Sequence, residues 1–250
     1  MKIESFPRKL FLFRNNLCMF AQTQNELHNM KHMSILAVSL LALVACTPEK
    51  KQEADYSQYV NPMIGTDFTG NTYPGAQVPF GMVQLSPDNG LPGWDRISGY
   101  FYPDTTIAGF SHTHLSGTGA GDLYDISFMP VTRPYKEAPA PLGIYSTFSH
   151  NDEAASAGYY RVLLKDYNIN VELTATERCG IQRYTFPEAE ASVFLNLKKA
   201  MNWDFTLDSK IEVVDSTTIR GYRLSQGWSP LQHVYFETRF SKPFVACHMD

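Results

Sequence analysis

The chain has 250 residues, of which 44% are hydrophobic and 18% are charged, and its formal net charge is −4. Affinity for nucleic acid depends on clustered Lys and Arg that neutralise phosphates, so this weak negative balance without a basic tract argues against a nucleic-acid partner. A chain of this length can bury roughly 70% of the surface that its unfolded state exposes, in one or two domains.

A leader is predicted ahead of the fold. From Met30 a short basic start precedes an apolar run over 34–44, and the run ends in Leu43-Val44-Ala45-Cys46. This pattern is typical of a secretory signal, and the run is too short to span a bilayer. The ending is similar to a bacterial lipobox, so we predict a lipoprotein signal peptide over 30–45, with cleavage before Cys46 and a lipid on its thiol. A plain secretory signal with a chance cysteine is the alternative.

The segments on either side of this signal are predicted to lie outside the folded domain. Residues 1–29 match no part of a signal, and we interpret them as an upstream extension, with Met30 or Met33 as the true initiator. Residues 46–56 are polar and charged, as flexible tethers are. We therefore expect an exported protein that is anchored by lipid in the periplasm or at the outer-membrane surface, with the folded domain over 57–250.

The stretch from Tyr59 to Asp122 combines many Gly and Pro residues with Trp, Tyr, His and Asp. A sugar pocket built from loops needs both backbone flexibility and rigid aromatic area. Within the stretch, Trp94 is followed by Asp95 and Arg96 in a Gly-Pro context. An aromatic face stacks on the C–H face of a pyranose, while carboxylate and guanidinium groups bind its hydroxyls. The alternative is a Trp that fills the edge of the core, beside a local ion pair between Asp95 and Arg96.

His112 and His114 are two residues apart, which on a strand places both imidazoles on one face. Such a pair can bind a transition metal, form hydrogen bonds to a ligand or a partner domain, or be structural, and Asp122 or Asp125 could orient it. No convincing third ligand is found in the sequence, so we predict no metal at this pair. The residues that we predict to bind substrate are Trp94, Asp95, His112, His114 and Asp122.

Two further features of this stretch bear on catalysis. The Gly-rich run 116–122 lacks the Lys-Ser/Thr of a phosphate-binding loop, which favours a close approach of its backbone to a ligand or another domain. Hydrolysis of a glycosidic bond usually needs two carboxylates that face each other across it. Spacing in the sequence pairs none of the candidates, which are Asp95, Asp104, Asp122 and Asp125. A nucleophile elbow for a Ser-His-Asp hydrolase is also missing.

Short runs with period-two alternation predict antiparallel strands, most clearly over 193–198 and 234–240. Other strands are predicted at 81–86, 126–130, 159–164, 170–176, 180–186, 210–214 and 218–225, with turn residues between them. The predicted fold class is therefore all-β, an antiparallel two-sheet β-sandwich. The longest helical candidate is 153–157, and 243–248 is predicted to begin a last strand.

Two cysteines, Cys179 and Cys247, follow the leader, and their spacing matches no zinc or redox motif. They can pair only if the fold brings them together. The simpler interpretation is two buried free thiols that pack as small apolar side chains.

Several motifs of the chain together resemble one family. They are Asn61-Pro62-Met63-Ile64-Gly65-Thr66, Gly70-Asn71-Thr72-Tyr73-Pro74-Gly75, Pro79-Phe80-Gly81-Met82, Ser98-Gly99-Tyr100 and His112-Thr113-His114-Leu115-Ser116-Gly117-Thr118-Gly119. This set resembles the N-terminal domain of glycoside hydrolase family 92, the exo-acting α-mannosidases common in gut Bacteroidetes. The resemblance is dense over residues 57–135.

The resemblance implies a β-sandwich N-terminal domain joined to a larger C-terminal helical barrel, with mannose-containing glycans bound between the two. It also implies an inverting, calcium-dependent α-mannosidase of α-1,2 type, whose Glu acid, Asp base and calcium ligands belong to the barrel. We therefore expect no catalytic residue in this chain, with Trp94 as the best candidate to touch sugar. Because the chain ends abruptly at Asp250, we expect the barrel to be missing and the domain to be truncated.

Such a fragment is expected to be inactive and poorly soluble, with a large exposed apolar patch. A second interpretation, from another class, is a non-catalytic, lipid-anchored module that binds carbohydrate or a partner and has the sandwich without the barrel. The first interpretation requires calcium-dependent activity from a longer protein. The second interpretation requires neither calcium-dependent activity nor a longer protein, and it predicts that the module binds glycan by itself.

Overall fold

The structure, a computed structural model, describes residues 54–117, 119–138, 142–200 and 202–249. The predicted upstream extension 1–29, the predicted signal peptide 30–45, the predicted lipidation site Cys46 and most of the predicted tether lie outside these described residues. No helix within the described ranges is long and apolar enough to cross a membrane.

Fourteen strands and three short 3₁₀ turns form the described part of the chain, which has no α-helix. The strands are β1 (Ala76–Gln77), β2 (Gln84–Asp88), β3 (Thr106–Ile107), β4 (Gly109–Ser111), β5 (Ser127–Thr132), β6 (Ser146–Thr147), β7 (Glu153–Ser156), β8 (Tyr159–Leu164), β9 (Ile169–Ala175), β10 (Gly180–Thr185), β11 (Ala191–Asn196), β12 (Phe205–Val213), β13 (Thr218–Gln226) and β14 (Gln232–Arg239). The 3₁₀ turns are Ser57–Tyr59, Trp94–Arg96 and His150–Asp152.

The strands form four hydrogen-bonded sheets, and every pairing within them is antiparallel. The strand orders are β1-β2-β4-β5-β11, β10-β9-β8-β7, β12-β13-β14 and β3-β6. The prediction of an all-β antiparallel fold is confirmed. The strongest period-two runs became β11 and β14, and β8 begins and ends where the alternation predicts.

The main core lies between the five-stranded and the four-stranded sheet. Alternate residues of β9, such as Val171 and Leu173, are buried there against Leu85, Phe110 and Val131 of the other sheet. Burying each of these side chains contributes about 1.5–3 kcal/mol relative to leaving it exposed. These two sheets therefore form the sandwich of the fold.

The three-stranded sheet β12-β13-β14 packs on the other face of the five-stranded sheet. In β5, Met129 belongs to the main core, whereas the preceding Phe128 belongs to a second cluster. Side chains of successive strand residues point to opposite faces, so the five-stranded sheet is covered on both. Val234 and Phe236 of β14 pack against this second cluster. The molecule thus has a third β layer.

Three expectations from the sequence are wrong. Residues 153–156 form β7, because five residues are too few to nucleate a helix and β8 offers a pairing edge. Residues 243–248 form no strand; after Pro243, which has no N–H to donate, the segment is tied by a backbone hydrogen bond from Phe244 to Ser216. Cys179 and Cys247 are free, as expected, but exposed rather than buried, because neither lies in a strand.

Candidate functional site

Trp94 lies on a rigid turn with its indole half exposed. Gly93 has a φ of 150° and starts the 3₁₀ turn Trp94–Arg96. Arg96 donates two hydrogen bonds to the Asp104 carboxylate, at 2.6 and 2.5 Å, and its guanidinium lies 4.7 Å from the centre of the Phe101 ring. The alternative of a local ion pair with Asp95 is therefore wrong for Arg96. Trp94 itself is 53% exposed, which argues against a ring that fills the core edge.

Asp95 is half-buried beside this turn. Its carboxylate makes no hydrogen bond or ion pair to other described residues, in contrast to Asp104. An ionised carboxylate accepts hydrogen bonds at both oxygens. Asp95 is thus able to accept hydrogen bonds from the hydroxyls of a ligand.

His114 lies in a buried polar cluster with Asp88, Ser111 and Lys199. Its Nδ1 donates to the Gln84 carbonyl at 2.7 Å, and its Nε2 is 2.9 Å from an Asp88 oxygen. Ser111 donates to the same oxygen at 3.1 Å, while Lys199 Nζ is 3.3 Å from the other. Burial alone would raise the pKa of Asp88, but Lys199, His114 and Ser111 outweigh it and the pKa lies below its ordinary value. The cluster holds the segment after β4 against β2.

His112 is half-buried at a different place. Its Nδ1 donates to the Ile126 carbonyl at 2.8 Å, and a Cβ on Gly180 would lie 2.6 Å from its ring. Burial lowers the pKa of His112, so the neutral imidazole is favoured. The two histidines therefore contact different partners. The carboxylate that orients His114 is Asp88, and not Asp122 or Asp125 as the sequence suggested.

Asp122 ties the Gly-rich run to the loop between β13 and β14. Its side chain is buried, and one carboxylate oxygen accepts from the Trp228 backbone N–H at 2.8 Å and from Gln232 Nε2 at 2.7 Å. Gly227 packs so close that a Cβ there would lie 2.5 Å from the same oxygen. Asp122 thus fixes the backbone of the loop that carries Trp228.

Asp125 belongs to a buried ion cluster that no pattern in the sequence predicts. Arg223 donates to Asp125 at 2.6 Å and to Asp204 at 2.8 Å. The same guanidinium also donates to the carbonyls of Leu123, Leu197 and Lys199. Burial raises the pKa of Asp204 to about 6 against the effect of Arg223, and the nearby Asp122 and Asp125 add to the rise. The cluster joins β13 to the segment before β5.

A polar junction, formed by Gly93, Gly121, Asp122 and Asn202, joins the loops of all three tryptophans. The Gly93 N–H donates to Asn202 Oδ1 at 3.1 Å, and a Cβ on Gly121 would lie 2.8 Å from Asn202 Cβ. At Gly121 the Gly-rich run therefore closely approaches Asn202 of the same domain, and its approach to a ligand or another domain stays a prediction. The sequence analysis missed Asn202, Trp203 and Trp228. The available signal was that each Trp of the chain has Gly or a polar residue on both sides.

Three of the four candidate carboxylates are held by partners within the fold. Asp104 is paired with Arg96, Asp122 with the loop of Trp228, and Asp125 with Arg223. Calcium prefers six to eight oxygen ligands, whereas the buried carboxylates Asp125 and Asp204 already share the Arg223 guanidinium. No cluster of three or more metal-ligating side chains occurs among the described residues. These residues do not fit calcium.

Comparison with known proteins identifies the relatives of this domain. A family model described as the glycosyl hydrolase family 92 N-terminal domain matches residues 59–249. Among curated proteins, an uncharacterized secreted glycosidase of Arthroderma benhamiae is 26% identical over 172 residues, which are 65% of this chain and 21% of that protein.

Solved structures agree with the family match. A family 92 α-mannosidase from Bacteroides thetaiotaomicron, in complex with mannoimidazole, is 43% identical with a TM-score of 0.72, covering 76% of this chain and 26% of that one. An inverting mannosidase of the same family from Bacteroides thetaiotaomicron VPI-5482 is 23% identical with a TM-score of 0.55, a likeness of fold alone, over 77% of this chain and 30% of that one. The chain spans about a quarter of the length of these relatives.

Proposed function

Because this chain belongs to glycoside hydrolase family 92 as its N-terminal domain, we propose that it forms the N-terminal part of a secreted α-mannosidase and supplies loops to the sugar pocket. The main support for this proposal is the exposure of the Trp94 indole on a turn that the Arg96–Asp104 ion pair holds rigid. A rigid aromatic ring loses little conformational entropy when a ligand stacks on it. Trp94 therefore stacks on the C–H face of a terminal mannose, and Asp95 accepts a hydroxyl.

The other residues predicted to bind substrate act in this proposal by positioning. His112, His114 and Asp122 are anchored to the fold through Ile126, Asp88 and the loop of Trp228. They hold the segment from 112 to 122 in place beside the tryptophans. In this proposal the catalytic carboxylates lie outside the described residues, since Asp104, Asp122 and Asp125 are each engaged in the fold and Asp95 is left without a second free carboxylate.

The finer features of the activity rest on the family resemblance. They are an α-1,2 linkage preference, an inverting mechanism, and calcium held by residues of a C-terminal helical barrel, as the residues of this domain do not fit that ion. Export and lipid anchoring through Cys46 complete the proposal, with mannose-containing glycans met in the periplasm or at the outer-membrane surface.

A non-catalytic carbohydrate-binding module is the second candidate. The observation in its favour is that this domain by itself exposes Trp94, Trp203 and Trp228 near the junction. In that function the domain binds glycan without hydrolysing it and without calcium.

The proposal is tested with the purified chain, α-1,2-mannobiose and calcium. We expect no release of mannose, and saturation-transfer NMR signals from the disaccharide that weaken in Trp94→Ala. The expected loss of affinity is roughly 2- to 10-fold, from the 0.5–1.5 kcal/mol of an aromatic contact. Asp95→Asn, which keeps the shape of the side chain, is expected to have a smaller effect.

Release of mannose by the chain, free of host enzyme, would contradict the proposal and make Asp95, Asp122 and Asp125 catalytic candidates again. Equal NMR signals from the wild type and Trp94→Ala would contradict the role of Trp94. If a calcium chelator leaves disaccharide binding unchanged, this result supports direct contact between the domain and the sugar, because the residues of the domain do not fit calcium.

A further inference from the structure

All three tryptophans of the 250-residue chain lie in loops that the polar junction links. Trp94, Trp203 and Trp228, which we call the tryptophan edge, are 53%, 45% and 78% exposed. Trp is a large apolar residue that is highly buried on average in folded proteins. Three exposed indoles from distant parts of the sequence therefore call for a functional explanation.

The polar junction under the edge brings them together. Gly93, which precedes Trp94, donates to Asn202, which precedes Trp203, and Asn202 packs against Gly121. The next residue, Asp122, accepts from the backbone of Trp228. Trp94 and Trp203 are therefore each one residue, or about 3.8 Å between Cα atoms, from a residue of the junction. Trp228 contacts Asp122 directly through its own backbone N–H.

The surroundings of the edge suit a neutral, hydroxyl-rich ligand. Asp95, next to Trp94, is half-buried, and its carboxylate makes no hydrogen bond or ion pair to other described residues, so it can accept from a hydroxyl of a ligand. The basic side chains beneath it, Lys199 and Arg223, are buried against Asp88, Asp125 and Asp204. Their charges are already neutralised within the fold, so an anionic ligand gains nothing from them.

We propose that Trp203 and Trp228 contact sugar units beyond the one at Trp94, so that the domain selects an oligosaccharide of two or three sugars over a monosaccharide. This inference rests on the proposed function, in which Trp94 contacts the terminal sugar. Each added sugar ring stacks on one more indole. The junction fixes the spacing of the indoles, and thereby the length and path of the glycan.

The test uses the intrinsic fluorescence of the chain, because every tryptophan that emits belongs to the edge. The wild type is titrated with mannose, mannobiose and mannotriose, and saturation-transfer NMR on the same samples measures binding independently of emission. We expect affinity to rise at least fivefold from mannose to mannotriose. In Trp203→Ala and Trp228→Ala this rise is reduced while mannose binding is unchanged, whereas Trp94→Ala weakens all three sugars.

The control is Tyr235→Ala, which removes an exposed aromatic ring from β14 and is expected to change no affinity. Equal affinity for mannose and mannotriose, with a loss only in Trp94→Ala, would overturn the inference and leave the proposed function standing. A loss of mannose binding in Trp203→Ala or Trp228→Ala would also overturn it, because these residues would then contact the terminal sugar. An absence of binding to all three sugars would overturn both.

Discussion

At the residue scale, the ion cluster around Arg223 has one cation for two carboxylates. Asp125 and Asp204 both accept from this guanidinium, and the second oxygen of Asp204 is buried without a partner. Burial therefore raises the pKa of Asp204 to about 6, although Arg223 opposes the rise. An unfolded Asp has a pKa of about 3.9. The fold thus binds a proton at Asp204 more tightly than the unfolded chain does.

The stability that this proton contributes is fully present below about pH 4 and is lost as the pH rises through about 6. From the two pKa values, the loss is on the order of 2–3 kcal/mol. We expect Asp204→Asn, whose amide resembles the protonated acid, to remove this part of the pH dependence. Urea unfolding of both proteins at pH 4, 5, 6 and 7 measures it, with the half-buried Asp95→Asn as control. A stability difference between wild type and Asp204→Asn that is constant with pH would show that Asp204 does not titrate in this range.

Sequence reasoning reached the candidate site only where the residues are local. Trp94, Asp95 and Arg96 are neighbours, so their position on a turn followed from the Gly and Pro around them. Asn202 contacts Gly93 across 109 positions of the sequence, and Arg223 contacts Asp125 across 98. Such contacts depend on how the sheets pack, and no periodicity encodes them.

At the scale of elements, period-two alternation predicted the strands well because most of them have one face in a core. β9 is the clearest example, with Ile169, Val171 and Leu173 buried on one side. The alternation also predicted a strand at 210–214, but the observed strand, β12, begins at Phe205, five residues before the predicted start. A register shift between Thr206 and Asp208 interrupts the pattern there.

The turn between β8 and β9 carries a prediction of its own. Asn168 has a φ of 51° and an exposed side chain. The left-handed region costs a residue with a Cβ roughly 1–2 kcal/mol, and Asn tolerates it better than most. We expect Asn168→Ala to lower the free energy of unfolding by about 1 kcal/mol and Tm by about 2–4 °C.

Asn168→Gly serves as the matched control, because Gly adopts this backbone conformation without strain. Thermal unfolding by circular dichroism is expected to place it within about 0.5 kcal/mol of the wild type. Equal destabilisation by Ala and Gly would mean that the side chain of Asn168, and not its backbone conformation, holds the turn.

At the scale of the whole molecule, the third β layer is what the sequence did not predict. The sheet β12-β13-β14 alternates as any half-buried sheet does, and alternation does not reveal which core a strand joins. Through this layer, Trp203 before β12 and Trp228 after β13 reach the loop of Trp94. In the proposed function the layer therefore contributes to glycan binding as well as to stability, since it completes the tryptophan edge.

The exposed apolar surface leads to a prediction about association of the whole chain. Phe80 is fully exposed in a turn closed by the Gly81 N–H and the Val78 carbonyl, with a φ of 58°. Burying such a ring against a second molecule contributes about 1.5–3 kcal/mol, so we expect the chain to self-associate and Phe80→Gly to reduce this in sedimentation velocity. Relief of backbone strain offsets the greater flexibility of Gly, so the free energy of unfolding of Phe80→Gly is expected to stay within about 1 kcal/mol of the wild type.

The control is Tyr235→Ala, which removes an exposed aromatic ring from an unstrained strand. Equal reductions of self-association in both variants would rule out a specific role of Phe80.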